Sequence, residues 1–233
     1  MRFINKTLIL IVLLMIPFIR TAAQNDEYRL ELGGAAGGSF YMGDANYSTL
    51  FKNMGVSGGV IARYILNPRM AIKGNLIAGR ISGDTKGTKN VYPNQENASF
   101  RRTIFDLGVQ FEYNFLGYSS EEDYTGNKRF TPYILGGVGG TFAPAPADDV
   151  FTINFPVGVG VKYKIAHRIN IGCEFTMRFS LSDELDVTNK EGMQLNDPYR
   201  IKGKGFKNKD SYSFTAFFIT YDLFPHCRGC NNN

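Results

Sequence analysis

A two-residue alternation of apolar and polar side chains runs through most of the chain after Gln24, and it restricts the fold more than any other feature. The segment 151–161 reads F-T-I-N-F-P-V-G-V-G-V, so its odd-numbered residues are all large and apolar. The segments 105–115 and 169–180 repeat the pattern. Successive side chains of an extended strand point to opposite faces, whereas a helix repeats every 3.6 residues. The sequence therefore predicts an all-β fold.

Weaker alternation predicts five further strands and brings the total to eight. Each is about ten or more residues long, which is the length that a tilted strand needs to cross a bilayer. In the last strand the apolar phase shifts between Phe214 and Phe217, and a β-bulge near Ala216 would explain this, because one extra residue exchanges the two faces. The predicted strands are 28–40, 56–66, 70–81, 105–115, 130–142, 151–161, 169–180 and 211–224.

The connections between the predicted strands alternate in length. Asn67-Pro68-Arg69 and Ala166-His167-Arg168 are tight turns, and Gly117–Arg129 is a moderately long link on the same side. Short turns on one rim and long loops on the other are typical of an outer-membrane barrel, with both termini in the periplasm. The four predicted loops on the other rim are Tyr41–Gly55, Ser82–Ser99, Ala143–Val150 and Leu181–Asp210.

The first residues predict secretion. Arg2 and Lys6 precede an apolar run over 8–19, and the small residues Thr21-Ala22-Ala23 follow it. This order is typical of a signal peptide cleaved after Ala23, and the run is too short for a membrane-spanning helix of roughly 20 residues. We therefore expect a signal peptide over 1–23, an outer-membrane barrel over 24–224 and a periplasmic tail over 225–233. Cleavage would remove Arg2, Lys6 and Arg20 and lower the formal net charge from +5 to +2, so no nucleic-acid partner is expected.

The polar face of the strands distinguishes a membrane barrel from a soluble one. A soluble barrel such as a lipocalin would place the apolar face inside, around a ligand. In a narrow membrane barrel the polar face would fill the lumen with paired charges and leave no wide pore. The charges expected to meet there are Glu31, Asp106, Glu112 and Glu174 with Arg29, Arg63, Lys73, Lys162 and Arg178. Aromatic residues at strand ends also favour the membrane, as interfacial girdles. They are Tyr28, Phe40, Tyr64, Phe115, Phe130, Tyr163, Phe179 and Phe224.

Enzymatic activity is not predicted, and neither is a cofactor or a metal site. A barrel that modifies lipids would need a Ser–His–carboxylate set at the membrane rim. The chain has two histidines, His167 in a predicted turn and His226 in the tail, and neither has an evident serine partner. The glycine run 136–140 is not followed by a helix, which a phosphate-binding loop requires.

The tail after Phe224 contains Cys227 and Cys230 in a lone Cys-x-x-Cys. Zinc is not indicated, because a second pair of ligands is missing from the pattern. An internal disulfide, a mixed disulfide to a periplasmic partner and unused thiols all remain open. Cys173 is expected on the lipid face in mid-strand, where it would act as a small apolar residue.

Four stretches follow one another along the chain: YRLELGGAAGGSFYMGDAN, RFTPYILGGVGG, FPVGVGVKYKIAHRINIGCEF with the following SDELD, and the tail CRGC. Taken in this order, they resemble the PorG family, the barrel component of the type IX secretion and gliding system of Bacteroidota. The resemblance implies a non-enzymatic anchor that ties a periplasmic ring of the lipoprotein PorK and of PorN to the outer membrane. It also implies that the tail, with Cys227 and Cys230, contacts the partner.

A second functional hypothesis is a small surface barrel for adhesion or ligand binding, as in OmpX-like proteins. It would use the long loops Ser82–Ser99 and Leu181–Asp210 outside the cell.

Overall fold

A computed structural model of the protein describes residues 28–42, 54–84, 99–119, 128–144, 149–181 and 211–225. Within these ranges the chain forms eight strands, and every strand pairs antiparallel with its neighbours in sequence. β1 also pairs with β8, which closes the sheet into a barrel. The predicted fold class, an eight-stranded antiparallel β-barrel, is confirmed. The strands are β1 (Tyr28–Met42), β2 (Gly55–Asn67), β3 (Met70–Asp84), β4 (Ser99–Asn114), β5 (Phe130–Ala143), β6 (Val150–Ala166), β7 (Ile169–Ser180) and β8 (Ser211–Pro225).

The described residues contain no helix that is long and apolar enough to cross a membrane. The predicted signal peptide, 1–23, lies outside the described residues, as does the chain after Pro225.

The two ends of the barrel differ in how the strands are joined. At one end, here called the turn end, lie the first residue of β1, the last residue of β8 and the short connections β2–β3 and β6–β7. The link between β4 and β5 lies there too. At the opposite end, the loop end, the strands are joined by residues 43–54, 85–98, 144–149 and 181–210. The short connections therefore lie at one end and the long ones at the other, as predicted. The start of β4 differs, because it lies at Ser99 instead of Phe105.

Both short connections are two-residue turns, Pro68-Arg69 and His167-Arg168. In the first of them the Arg69 N–H donates to Asn67 Oδ1 at 2.8 Å, the local bond that makes asparagine favourable before a turn. Each turn is preceded by a register shift, at residues 65–67 in β2 and 164–166 in β6. Such a bulge increases the local twist, which suits the tight reversal of a barrel strand.

The predicted bulge near Ala216 is wrong, because β8 keeps one continuous register against both β1 and β7 over residues 211–221. Tyr212, Phe214 and Phe218 all point into the barrel and are at most 4% exposed. The apolar residues therefore do not change face by a slip of the strand. Instead, the lumen itself accepts aromatic side chains at this level, while Phe217 on the outer face is 70% exposed.

The outer wall is apolar and the lumen is polar and charged. Leu107, Val60 and Ile219 point outward and are 64%, 59% and 56% exposed. Cys173 lies on the same outer wall, opposite Val161 and Phe217, as the alternation predicts, and its thiol is free. This distribution is the reverse of a soluble barrel and matches a barrel surrounded by lipid, so the lipocalin-like alternative is excluded.

Six of the eight residues predicted as interfacial girdle are exposed on the outer wall, and two are not. Tyr28 is 7% exposed because its ring packs against His167 at 5.8 Å, beneath Arg168. Phe40 is fully buried, with its ring stacked on Phe175 at a centroid distance of 6.2 Å. The six that are exposed are Tyr64, Phe115, Phe130, Tyr163, Phe179 and Phe224.

Candidate functional site

A network of buried charges crosses the middle of the lumen. Its members are contributed by β1, β2, β3, β4, β6 and β7, and they are Glu31, Arg63, Lys73, Glu112, Lys162 and Glu174. Arg63 lies between two carboxylates: it is ion-paired with Glu31, and its Nε donates to Glu112 Oε2 at 2.8 Å. Three cations and three carboxylates balance within this part of the described lumen.

The sheet register explains how this network is assembled. Arg63 is directly opposite Glu31 on one side and Lys73 on the other. Two cations in opposite positions would repel each other. Glu112 offsets this repulsion, because its carboxylate lies 2.8 Å from Arg63 Nε and 3.7 Å from Lys73 Nζ. Lys162 Nζ approaches the same carboxylate at 3.2 Å.

Glycine makes room for the aromatic partner of this network. The Tyr133 hydroxyl donates to Glu174 Oε2 at 2.7 Å, and Lys73 Nζ donates to the same oxygen at 2.6 Å. A Cβ on Gly160 would lie 2.5 Å from the Tyr133 ring. Real Cβ atoms do not approach other atoms so closely, so a larger residue at 160 would displace the tyrosine from the carboxylate.

Asp106 organises a second polar cluster nearer the loop end. Its carboxylate accepts from Arg178 Nε at 3.0 Å, from the Tyr212 hydroxyl at 2.7 Å and from Asn154 Nδ2 at 2.7 Å. The Arg178 guanidinium also lies 4.4 Å from the centre of the Phe214 ring. One carboxylate, one guanidinium and several neutral donors thus meet in a single buried hydrogen-bonded cluster.

The loop end of the lumen is sealed by apolar side chains, which the alternation did not predict. They form one buried cluster of Tyr41, Ile77, Ile81, Phe100, Ile104, Ala143, Val150, Tyr212 and Phe214. Arg102, which is 2% exposed, lies beside it and donates to the Ala143 carbonyl at 2.7 Å. The lumen is therefore filled from its middle to its loop end.

The turn end is closed by a residue of the β4–β5 link. Tyr118 is 8% exposed, and its hydroxyl donates to Asn170 Oδ1 at 2.8 Å inside the mouth of the barrel. Its ring lies 5.1 Å from Lys162 Nζ and 5.4 Å from Lys164 Nζ. Burial raises the pKa of the Tyr118 phenol, so the hydroxyl stays protonated and able to donate.

Backbone hydrogen bonds hold this link in place. The Tyr118 N–H donates to the Pro68 carbonyl at 3.0 Å, and the Lys128 N–H donates to the Gly117 carbonyl at 2.7 Å. Beneath the tyrosine, Lys164 is ion-paired with Asp222, whose other oxygen accepts from Asn170 Nδ2 at 2.5 Å. We call residues 115–119 with 128–129 the turn-end lid.

Most of the predicted lumen charges lie in the lumen, but Arg29 does not. Arg29 is exposed at the turn end, because it lies at the mouth of the barrel, one residue from the start of β1. Sequence reasoning missed Lys164 and Asp222, although their positions share the alternation phase of Lys162 and Thr220. It also missed Tyr118, because the link carries no alternation that could place it.

The rim of the turn end is basic among its described residues. The exposed cations there are Arg29, Arg69, Lys128, Arg129 and Arg168. Arg168 is held in one orientation, since its Nε donates to the Tyr28 hydroxyl at 3.1 Å and its Nη1 to the Tyr221 hydroxyl at 3.4 Å. The acidic stretch 121–123 of the link lies outside the described residues.

The residues predicted for partner contact begin where the barrel ends. β8 reaches Pro225 at the turn end, and His226, Cys227 and Cys230 lie outside the described residues. Phe224 has a φ of 57°, a left-handed conformation that costs a non-glycine residue roughly 1–2 kcal/mol. His167 lies in the exposed β6–β7 turn against Tyr28. Among the described residues no group of three or more His, Cys, Asp or Glu side chains could hold a metal ion.

Comparisons with known proteins agree with this fold. A family described as "Domain of unknown function (DUF6089)" matches residues 5–232. No curated protein matches the chain. Among solved structures, the chain is similar to Neisserial surface protein A, with 12% identity and a TM-score of 0.50, over 83% of this chain and 97% of that one.

Two other solved barrels are similar at lower scores. Ail of Yersinia pestis has 10% identity and a TM-score of 0.47, over 85% of this chain and 100% of its own. The N-terminal barrel domain of Pseudomonas aeruginosa OprF has 10% identity and a TM-score of 0.43, over 83% and 97%. The likeness to Neisserial surface protein A, at 12% identity, establishes the fold alone, which is that of a small outer-membrane β-barrel.

Proposed function

The chain belongs to the DUF6089 family, and we propose that it is a non-enzymatic outer-membrane component of the type IX secretion machinery. In this role the barrel anchors the periplasmic ring of the lipoprotein PorK and of PorN. The sequence resemblance to the PorG family supports the identity of these partners.

One observation carries the structural part of the proposal: the lumen is filled. Buried ion pairs occupy its middle, an apolar cluster fills its loop end, and Tyr118 covers its turn end. An eight-stranded barrel is just wide enough for side chains to fill, so the interior offers no path for a secreted protein. The surfaces of the barrel then carry its function, which favours an anchor over a translocation channel.

The turn-end rim is the surface we assign to partner contact. An even number of strands returns both ends of the barrel to one side, and short turns are typical of the periplasmic side. We therefore place the turn end in the periplasm. β8 ends at Pro225 on this rim, three residues after Asp222, whose N–H donates to the Arg168 carbonyl. We therefore assign the tail that follows, with Cys227 and Cys230, to the same contact surface as the rim.

The proposal is tested by affinity capture of the full chain from outer membranes without reducing agent. We expect PorK and PorN to co-purify, and a deletion strain to stop exporting the substrates of this system. Cys227→Ser and Cys230→Ser should remove any thiol-sensitive adduct, whereas Cys173→Ser on the lipid face is the matched control. A deletion strain that exports normally would overturn the assignment.

A loop deletion separates the anchor from a surface-binding barrel. Shortening residues 85–98 and 182–210 to brief turns should leave capture of the ring proteins and export intact. If export continues but binding of cells to a host or matrix ligand is lost, the barrel is a surface-binding protein instead.

A further inference from the structure

Two exposed arginines lie next to each other on the outer wall near the loop end. Arg80 on β3 is opposite Thr103 of β4, and Arg101 on β4 is opposite Ser82 of β3. The arginines are thus diagonal neighbours, about 7–8 Å apart, within reach of long side chains. Both side chains are exposed.

The alternation of the two strands fixes the direction of these side chains. Ile81 follows Arg80 and is fully buried in the lumen, and Arg102 follows Arg101 and is 2% exposed. Because successive side chains of a strand point to opposite faces, Arg80 and Arg101 point away from the lumen, toward the surroundings of the barrel.

The pair lies at the loop-end edge of the belt of apolar side chains on the outer wall. Phe105, opposite Ala78, is 43% exposed, and Leu107, opposite Leu76, is 64% exposed. Arg80 is two residues beyond Ala78, which is about 7 Å along the strand. Because the outward-facing residues of β3 and β4 change here from apolar to charged, we place the boundary between hydrocarbon and lipid headgroups at this level, where arginine side chains reach toward anions.

We propose that Arg80 and Arg101 bind the phosphate of a membrane lipid on the outer wall of the barrel. Two adjacent cations on a sheet face repel each other, and a shared anion relieves this. Guanidinium groups match phosphate oxygens with paired hydrogen bonds, and the half-buried Thr103 beside them offers a hydroxyl donor. A lipid is the occupant because the site faces outward directly above the belt, where an acidic protein would have to displace the bilayer.

The shared chemistry is a lipid phosphate, and two sources can supply it: the phosphorylated glucosamine headgroup of lipid A, or a glycerophospholipid. The site lies at the opposite end from the rim assigned to the ring proteins. It is therefore independent of the proposed secretion role.

The test uses the full chain folded in detergent and native mass spectrometry with defined lipids. The probes are bisphosphorylated lipid A, the same lipid with its phosphates removed, and phosphatidylglycerol. R80Q/R101Q removes the pair, and R29Q/R69Q removes the same charge from exposed positions at the turn end. A shift in gel mobility between unheated and heated samples verifies that each variant is folded.

We expect R80Q/R101Q to bind lipid A at least about tenfold more weakly than the unchanged chain, since charge-assisted hydrogen bonds are lost. R29Q/R69Q should bind it as the unchanged chain does, and the dephosphorylated lipid should not distinguish the variants. A larger loss with lipid A assigns lipopolysaccharide as the source, and a larger loss with phosphatidylglycerol assigns phospholipid. Equal losses mean that the site recognises the phosphate of either lipid.

Two results would overturn the proposal: retention of both phosphorylated lipids by R80Q/R101Q, or an equal loss in R29Q/R69Q. The variant R80K/R101K keeps the charge without the paired geometry and should bind between the two extremes.

Discussion

Arg63 is the residue on which the charge balance of the lumen depends. It is fully buried, ion-paired with Glu31 and Glu112, and its guanidinium lies 5.1 Å from the Phe218 ring. Removing charges from water is costly, and burial of these three is tolerable because each carboxylate shares the same guanidinium. Loss of Arg63 would leave two carboxylates without their main partner.

We expect Arg63→Met to lower the free energy of unfolding by about 3–5 kcal/mol, the cost of breaking a buried ion pair on one side. Urea unfolding of the refolded protein in detergent or lipid vesicles measures it. Arg29→Met, an exposed arginine at the rim, is the matched control and should change it by less than about 0.5 kcal/mol.

Adding Glu112→Gln to Arg63→Met should recover part of the loss, because one unpaired charge is then neutral. If Arg63→Met lowers the free energy of unfolding no more than Arg29→Met does, the stabilising role of the charge network is contradicted.

At the level of single residues, the charges were predictable and the aromatics were not. Alternation placed Glu31, Arg63 and Glu112 on the lumen face. In a barrel surrounded by lipid, the lumen is the polar side that a charged side chain of a strand can face. The alternation did not single out Tyr133 and Tyr212 as lumen residues. Their hydroxyls bind buried carboxylates at 2.7 Å, and no spacing in the sequence announces a partner on a distant strand.

The turn-end lid is the element that separates the lumen from the surrounding water. Its Tyr118 ring covers the ammonium groups of Lys162 and Lys164, which are 2% and 5% exposed. Both lysines line the mouth of the barrel, and the Tyr118 ring lies over both of them.

Truncating the lid residue, Tyr118→Ala, should make Lys164 reactive toward a water-soluble acylating reagent, with Lys162 following more slowly. Peptide mass spectrometry of the labelled barrel detects the modification. Lys128, exposed on the lid, should react in both proteins, and Lys73, deeper in the lumen, should react in neither. Tyr118→Phe should stay protected, because the ring remains. Equal labelling of Lys164 in the unchanged chain would show that the lid does not close the mouth.

At the level of elements, the turns were more predictable than the strand ends. Asn67-Pro68-Arg69 marks a reversal by its own chemistry, because asparagine caps the turn and proline fixes a backbone angle. The start of β4 at Ser99 was missed, since Arg101 and Thr103 on its outer face break the apolar alternation. The bulge assigned to β8 was wrong for a related reason: Tyr212 and Phe214 are apolar on the lumen side.

The whole molecule is a barrel with a packed interior. Paired charges in the middle and apolar side chains at the loop end both remove space that ions would need. The protein reconstituted in a planar lipid bilayer is therefore expected to pass no steady ionic current. Tyr118→Ala should be silent as well, because the network above the lid remains. A porin in the same bilayer shows that the assay responds, and stable channels from the unchanged chain would contradict a filled lumen.

At the scale of the whole molecule, the architecture of the barrel could be predicted from the sequence, but the side chains that fill and close its lumen could not. Strand number, closure and the polarity of the two faces follow from local alternation, since every strand repeats the same two-sided pattern. Which side chains meet across the lumen depends on strand tilt and register, which join Lys73 to Glu174 over 101 positions of sequence. Local patterns do not carry that information.

These long separations have a consequence for how the barrel is made. Glu31 on β1 accepts a hydrogen bond from Thr220 on β8, 189 residues later, and the same carboxylate is paired with Arg63. A growing sheet that lacks its last strands would expose some of these charges without their partners. The lumen charges are then paired at the same step in which β1 pairs with β8. A barrel that lacks its final strand is therefore less stable than the closed one.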